Sequence, residues 1–140
     1  MDLASGEQVA SWRVPDGLHA NFPMALDAED GVLATVFRSP ARLVLLDTRT
    51  GAVTANLATC GDADDVFFDA KRRRLYVSCG TGEVDVMQQD ATGLRFLARV
   101  PTRSGARTSL FVPELDRLFV AARAGLPGSD AALLVFRPPS

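Results

Sequence analysis

The stretch Val66-Phe-Phe-Asp-Ala-Lys-Arg-Arg-Arg-Leu-Tyr-Val-Ser78 decides the fold of this chain. It consists of an apolar run, a polar turn and a second apolar run, which is the pattern of two short antiparallel strands. The same pattern occurs at 24–35 and at 110–121, a spacing of about 43 residues that is typical of β-propeller blades. The sequence therefore predicts an all-β protein, a β-propeller segment with about three blades.

Each complete blade is predicted to contain four antiparallel strands, which we call A to D from the central channel outward. Apolar and polar residues alternate along these segments, and turns containing Asp and Gly separate them. In the middle repeat the predicted strands are A at 65–69, B at 75–79, C at 83–88 and D at 94–101. In the last repeat they are A at 109–113, B at 118–122 and C at 131–137.

The ends of the chain carry a second prediction. We expect a strand of a preceding or closing blade at 1–15, blades at 19–59 and 61–102, and a blade without its outer strand at 104–138. An N-terminal D strand and a final blade lacking one are the parts by which a propeller closes. Closed propellers have about four to eight blades. Two interpretations therefore remain: a fragment of a longer propeller, which we favour because Met1 falls inside a strand motif, or a homodimer closing a six-bladed ring.

Composition excludes some classes of function. With 47% apolar and 23% charged residues, the chain has the balance of a globular domain. A net charge of −2 provides no positive field, so we predict no nucleic-acid partner and interpret 71–74 as a solvated turn. No apolar run is long enough for a membrane span, and the N-terminal residues do not resemble a signal peptide. A periplasmic or secreted location would require an export signal in a longer parent.

Three motifs resemble the repeat of the bacterial YVTN-type β-propeller family. They are Arg74-Leu-Tyr-Val-Ser78, Gly80-Thr-Gly-Glu-Val-Asp-Val86 and Leu45-Leu-Asp-Thr-Arg-Thr-Gly-Ala-Val53. The resemblance covers essentially the whole chain. It implies a bacterial propeller, often exported, of a kind that commonly acts as a binding or interaction module.

Candidate ligand-binding residues lie in the D-to-A and B-to-C loops. In a propeller these loops meet at one mouth of the channel, where ligands bind. The predicted channel-face residues are His19, Asn21, Arg38, Asp62, Asp64, Asp65, Arg107 and Arg123.

Three carboxylates within four residues, Asp62, Asp64 and Asp65, are a possible site for a hard cation such as calcium. The alternative is that one Asp caps the loop backbone and the others are solvated. We favour this alternative because the ligand spacing of a calcium loop is absent. No other cofactor is predicted.

Cys60 and Cys79 are placed on the same face of the same blade by the predicted register. A disulfide between them is therefore geometrically possible, and two separate thiols are the alternative. Neither belongs to a CxxC motif, so a zinc or redox site is not expected.

The main functional prediction is a non-enzymatic module that binds a protein or small-molecule ligand at the channel face. The alternative is a calcium-dependent lactonase or gluconolactonase-like hydrolase. In that enzyme Asp62, Asp64 and Asn21 would help a metal to polarise a lactone carbonyl. No catalytic residue is assigned, because the single histidine, His19, accompanies no serine or cysteine in a nucleophile frame.

Overall fold

The computed structural model describes residues 4–140 as three antiparallel sheets. Sheet 1 contains β1 (His19–Asp27), β2 (Val32–Ser39), β3 (Ala41–Asp47) and β4 (Val53–Ala58). Sheet 2 contains β5 (Ala63–Asp69), β6 (Arg74–Cys79), β7 (Glu83–Asp90) and β8 (Gly93–Pro101). Sheet 3 contains β9 (Ser109–Val112), β10 (Arg117–Ala122) and β11 (Ala132–Phe136), with β10 in the middle.

Consecutive strands pair as hairpins in every sheet, so each sheet is a meander. The predicted all-β class and the division into groups of four, four and three strands are confirmed. Within sheet 3, one turn of 3-10 helix at Pro113–Leu115 joins β9 to β10. Within the described residues, no helix is long and apolar enough to cross a membrane. The number of blades in a closed ring stays a prediction.

Sheet 2 packs between the other two sheets, because both of its faces are apolar. On one face, Leu75, Val77 and Met87 pack against Val36 and Leu43 of sheet 1. On the other face, Tyr76 and Val84 pack against three buried residues of sheet 3, namely Phe111, Leu118 and Val120. Burial of one such aliphatic side chain stabilises the fold by about 1.5–3 kcal/mol. The two cores therefore hold the three sheets together.

A buried ion pair joins sheet 2 to sheet 3 at the turn that precedes β6. Arg72 Nη1 donates to Asp69 Oδ2 at 3.0 Å and to Asp116 Oδ1 at 2.7 Å, while Arg72 Nη2 donates to Asp116 Oδ2 at 2.9 Å. The Tyr76 hydroxyl also donates to Asp69 Oδ2, at 2.6 Å. Burial and this hydrogen bond to a carboxylate raise the pKa of Tyr76. We call Asp69, Arg72, Tyr76 and Asp116 the Arg72 clamp.

Cys60 and Cys79 form a disulfide in the core between sheets 1 and 2, with a Cα–Cα distance of 5.8 Å. The backbone N–H of Cys60 donates to Asp85 Oδ2 at 2.8 Å, and Asp85 is fully buried. Arg99 of β8 supplies the opposite charge, with its Nε 2.7 Å from Asp85 Oδ1. The disulfide and the Asp85–Arg99 pair together hold Cys60 in place just before β5 begins.

The N-terminal segment departs from the prediction. Residues 1–3 lie outside the described residues, and 8–14, predicted as an outer strand, form no strand within the described part of the chain. The Trp12 ring packs against Gly51 in the turn between β3 and β4. Leu18 is buried with Phe37 and Val44 on the face of sheet 1 that points away from sheet 2. The segment therefore contacts the turn before β4 and leads into β1 through the buried Leu18, without pairing to a strand.

Candidate functional site

Four charged side chains meet where the strand ends of sheets 1, 2 and 3 come together. Arg38 stands near the end of β2, Asp62 and Asp64 flank the start of β5, and Arg107 precedes β9. Asp62 has a φ of 59°, a left-handed conformation that Asp tolerates better than most residues. A register shift between Ala63 and Asp65 follows it. These features turn both carboxylates toward the arginines.

The four side chains form a closed network of opposite charges. Asp62 Oδ1 lies 3.5 Å from Arg38 Nη1, and Asp62 Oδ2 lies 2.6 Å from Arg107 Nη2. Asp64 is ion-paired with Arg38 Nη2, and its Oδ2 lies 3.9 Å from Arg107 Nε. Each carboxylate thus bridges two guanidinium groups, and the formal charges cancel. We call Arg38, Asp62, Asp64 and Arg107 the four-charge network.

Two further residues that the sequence did not identify hold the network in place. The Arg38 guanidinium lies 4.2 Å from the centre of the Phe22 ring, a cation–π contact, and its Nε donates to the Ala63 carbonyl at 2.9 Å. Gly80 lies beneath the network, where a Cβ would collide with the Asp62 carboxylate and approach Arg107 Nε to 2.8 Å. The Gly80 N–H also donates to the Asp62 carbonyl at 2.8 Å.

Asp65 points elsewhere and has a different task. Its Oδ2 accepts the backbone N–H of Ser109 at 2.7 Å, so it joins sheet 2 to sheet 3. Burial raises the pKa of Asp65, against the opposing effect of that hydrogen bond. The Ser78 and Ser109 hydroxyls, 2.6 Å apart, continue the same junction.

The predicted calcium site does not form as a ligand set. Two of the three carboxylates are neutralised by arginines and the third accepts a backbone N–H. Among residues 4–140, no group of three or more His, Cys, Asp or Glu side chains is arranged to hold a metal. Calcium requires six to eight oxygen ligands, and the oxygens present here already have cationic or N–H partners. The arrangement of Asp62, Asp64 and Asp65 therefore does not fit calcium.

His19 and Asn21 lie apart from the network. Both are exposed on the first residues of β1, where His19 pairs in register with Ser39 and Asn21 with Phe37. Within the described part of the chain, no side-chain hydrogen bond or ion pair joins either residue to the four charges. The predicted channel-face set is therefore divided: the structure brings Arg38, Asp62, Asp64 and Arg107 together, and leaves His19 and Asn21 outside.

Arg123 follows β10 and lies next to a cleft. Its guanidinium covers Gly105, where a Cβ would come within 2.7 Å of Arg123 Nε. The cleft has a volume of about 620 Å³, and its polar lining residues are Asp64, Arg107, Thr108 and Arg123. Ala121, Ala132 and Leu133 contribute to its apolar side. Across residues 4–140, the exposed Arg123 side chain forms no ion pair and no hydrogen bond, so its charge has no protein partner.

Arg107 has one further unusual feature. Its Nε is buried and has no hydrogen-bond partner, although its Nη2 is paired with Asp62. A buried N–H without an acceptor costs about 1–3 kcal/mol. This N–H is directed toward Gly80 and lies 3.9 Å from Asp64 Oδ2, so it belongs to the interior of the four-charge network.

Comparison with solved structures identifies the fold. A chain of the nidogen/laminin complex superimposes with a TM-score of 0.60 at 16% identity, covering 81% of this chain and 47% of that one. Sqt1 of Saccharomyces cerevisiae gives 0.60 at 16% identity, with coverages of 84% and 31%. A gluconolactonase from Xanthomonas campestris gives 0.59 at 20% identity, with coverages of 86% and 39%.

These three neighbours are β-propeller proteins, so the chain has a propeller-type fold. It spans less than half the length of each of them. No protein-family profile matches the sequence, and no similar curated protein was found. The YVTN-type resemblance therefore stays a prediction.

Proposed function

We propose that this chain is a non-enzymatic binding module of a β-propeller, and that its cleft holds an organic anion beside Arg107 and Arg123. The observation that carries the proposal is that Arg123, which has no protein partner for its charge, lines the 620 Å³ cleft. Asp64 also lines the cleft, but its charge is paired with Arg38 and Arg107 within the four-charge network. A ligand with a negative group would supply the missing partner.

The composition of the cleft supports a small organic anion. A guanidinium group binds a carboxylate or phosphate through two parallel N–H donors, which gives both strength and orientation. Ala121, Ala132 and Leu133 add apolar surface to the cleft, which an inorganic ion would leave uncovered. A ligand with an anionic head and a compact apolar body satisfies both parts of the cleft.

The four-charge network has a positioning role in this proposal. Asp62 fixes the Nη2 end of Arg107, and Gly80 permits the close approach of both groups. Arg107 is therefore held in place beside the cleft before a ligand arrives, which reduces the entropy lost on binding.

The test is isothermal titration calorimetry with benzoate, citrate and inorganic phosphate, with neutral benzamide as the uncharged analogue of benzoate. We expect benzoate or citrate to bind, benzamide not to bind, and Arg123→Ala to weaken binding about tenfold or more, since hydrogen bonds to charged groups contribute about 1.5–3 kcal/mol. Arg49→Ala is the matched control, because Arg49 is 85% exposed on the turn between β3 and β4. Equal binding of benzoate and benzamide, or no effect of Arg123→Ala, would contradict the proposal.

The calcium-dependent lactonase or gluconolactonase-like hydrolase is the weaker alternative. A gluconolactonase is among the structural neighbours, but at 20% identity the similarity supports the fold alone. The carboxylates that would bind calcium are already paired with arginines. Calcium titration followed by thermal denaturation, together with an assay of gluconolactone hydrolysis, distinguishes the two. A calcium-dependent rise in Tm with lactone hydrolysis would favour the enzyme.

A further inference from the structure

Strand β11 is an open and entirely apolar edge. In sheets 1 and 2 the third strand is followed by a fourth, β4 or β8, whereas in sheet 3 as described β11 has a neighbour on one side only. Its five residues, Ala132–Phe136, include no charge, while β8 carries Arg95 and Arg99. Proteins usually protect sheet edges with charges, prolines or covering segments. The β11 edge has none of these within the strand.

An apolar groove lies beside this edge. It has a volume of about 440 Å³ and lies between sheets 2 and 3. Leu97, Ala98 and Val100 of β8 line one side, and Phe136 and Pro138 line the other. Because β8 is the fourth strand of sheet 2, the groove is the place where a fourth strand of sheet 3 would pack against it. Its shape and polarity suit an extended, partly apolar segment.

The chain contains such a segment, and sheet 2 lies between it and its own β11. Residues 8–14 form no strand, and Val9 is 74% exposed. Trp12 fixes the segment to the Gly51 turn of sheet 1. Sheet 2 lies between sheet 1 and sheet 3, because each of its faces packs against one of them. A segment fixed to sheet 1 therefore meets a β11 edge only when that edge belongs to another molecule.

We infer that residues 8–14 pair with β11 of a second copy of this chain and complete its sheet 3. This pairing also brings two exposed apolar surfaces together. On β1, Met24 and Leu26 are exposed on the face turned away from sheet 2, and Leu133 and Val135 are exposed on the outer face of sheet 3. Exposed apolar patches of this kind mark interaction surfaces. The partner's sheet 3 would cover the first patch while it accepts the strand.

The interface is head to tail, so its closure determines the size of the assembly. Each copy offers one segment and one edge, and the exchange of both between two copies gives a closed two-fold ring. The inference concerns assembly and is independent of the anion site, which is tested by ligand titration.

The backbone shows which amides of β11 face the open edge. The Ala121 N–H donates to the Thr108 carbonyl on the β9 side of β10. Amide groups alternate along a strand, so Val120 and Ala122 point toward β11 and meet Leu134 and Ala132 in register. The amides of Leu133 and Val135 therefore point outward. These two N–H groups are the donors that an added strand would use.

The experiment is light scattering on a sizing column over a range of concentrations. We expect twice the mass of the 15.0 kDa chain for the unaltered protein. Val135→Pro removes an outward donor, and we expect it to give a monomer. Because proline in β11 also threatens folding, the second variant is the double substitution Ala10→Pro and Ser11→Pro. Both substituted residues lie outside all described sheets. Because neighbouring N–H groups point to opposite sides of a strand, one of the two prolines removes an N–H that faces β11, whichever way the segment pairs.

Mixing the two variants separates loss of pairing from loss of folding. The Val135→Pro copy keeps an intact segment and the double-proline copy keeps an intact β11, so one of the two contacts forms. We expect the mixture to show a population of twice the chain mass that neither variant shows alone. A monomer at all concentrations for the unaltered protein, or a dimer that both variants leave intact, would overturn the inference.

Discussion

Sheet 2 and sheet 3 have the same sequence pattern and different surroundings. In sheet 2, Leu75 and Val77 are buried on one face and Tyr76 and Ser78 on the other. In sheet 3, Leu118 and Val120 are buried, but Leu133 is 71% exposed and Leu110 is also exposed. The repeat therefore specifies strands and turns, whereas the position of a sheet in the stack determines whether its second apolar face is covered. A repeat unit of this type needs a neighbour on each side.

The largest expected effect comes from cutting the junction between these two sheets. Asp69→Ala removes the buried acceptor of both Arg72 and Tyr76, and leaves the Tyr76 hydroxyl without its partner. We expect a loss of about 3–5 kcal/mol in the free energy of unfolding, as for other broken buried ion pairs. Urea denaturation measures it. The control is Asp30→Ala, which breaks an exposed pair with Arg73 and should cost less than about 1 kcal/mol. Equal losses would mean that the clamp is not a buried unit.

A pair of identical substitutions measures the difference between the covered and uncovered faces. Leu75→Ala leaves a cavity in the core between sheets 1 and 2, and we expect it to cost about 3 kcal/mol. Leu133→Ala, measured in dilute monomeric protein, should change stability by less than about 0.5 kcal/mol because the side chain is mostly in water. A large cost for Leu133→Ala at low concentration would show that the outer face of sheet 3 is covered within a single chain.

The smallest effect concerns pH, and it has opposite signs at two contacts of sheet 3. Arg72 lowers the pKa of Asp116, so the stability from this contact is present above the ordinary Asp pKa and is lost as pH falls through the lowered value. Burial raises the pKa of Asp65, so the folded state binds the proton more readily and this group becomes less destabilising as pH falls. Each pH effect is measured by comparing the unaltered chain with a variant in which asparagine replaces the titrating aspartate.

The measurement compares urea midpoints at pH 7 and pH 4 for the unaltered chain, Asp116→Asn and Asp65→Asn. We expect the stability advantage of the unaltered chain over Asp116→Asn to shrink at pH 4. The stability of the unaltered chain relative to Asp65→Asn should be higher at pH 4 than at pH 7. Changes of the same sign in both comparisons would contradict the assigned causes of the two pKa shifts.

The strands were readable from the sequence because their signal is local. Alternation of apolar and polar residues gave the bounds of β6, β7 and β8 to within two residues. The same local signal failed for residues 8–14, which pair with no strand although β4 has a neighbour on one side only. Whether a strand has a partner depends on residues that are distant in the sequence, and local periodicity carries no information about them.

The site was readable only in part, for the same reason. Loop positions in the repeat predicted that Arg38, Asp62, Asp64 and Arg107 would share one end of the fold, and the structure brings them together. That the carboxylates pair with arginines, and leave calcium no free ligand set, depends on side-chain directions. The roles of Phe22 and Gly80 depend on contacts between residues distant in the sequence, and no sequence motif predicts them.

The buried position of the Cys60–Cys79 disulfide protects its oxidation state from the surrounding solution. The two residues are 4% and 0% exposed, and their sulfurs lie in the core between sheets 1 and 2. Thiol–disulfide exchange requires an attacking thiolate to reach one of the sulfurs. While the sheets remain packed, neither glutathione nor a small reductant has a path to the bond. The oxidation state of the pair is therefore set when the chain folds, and it outlasts later changes in the surrounding redox potential until the sheets separate.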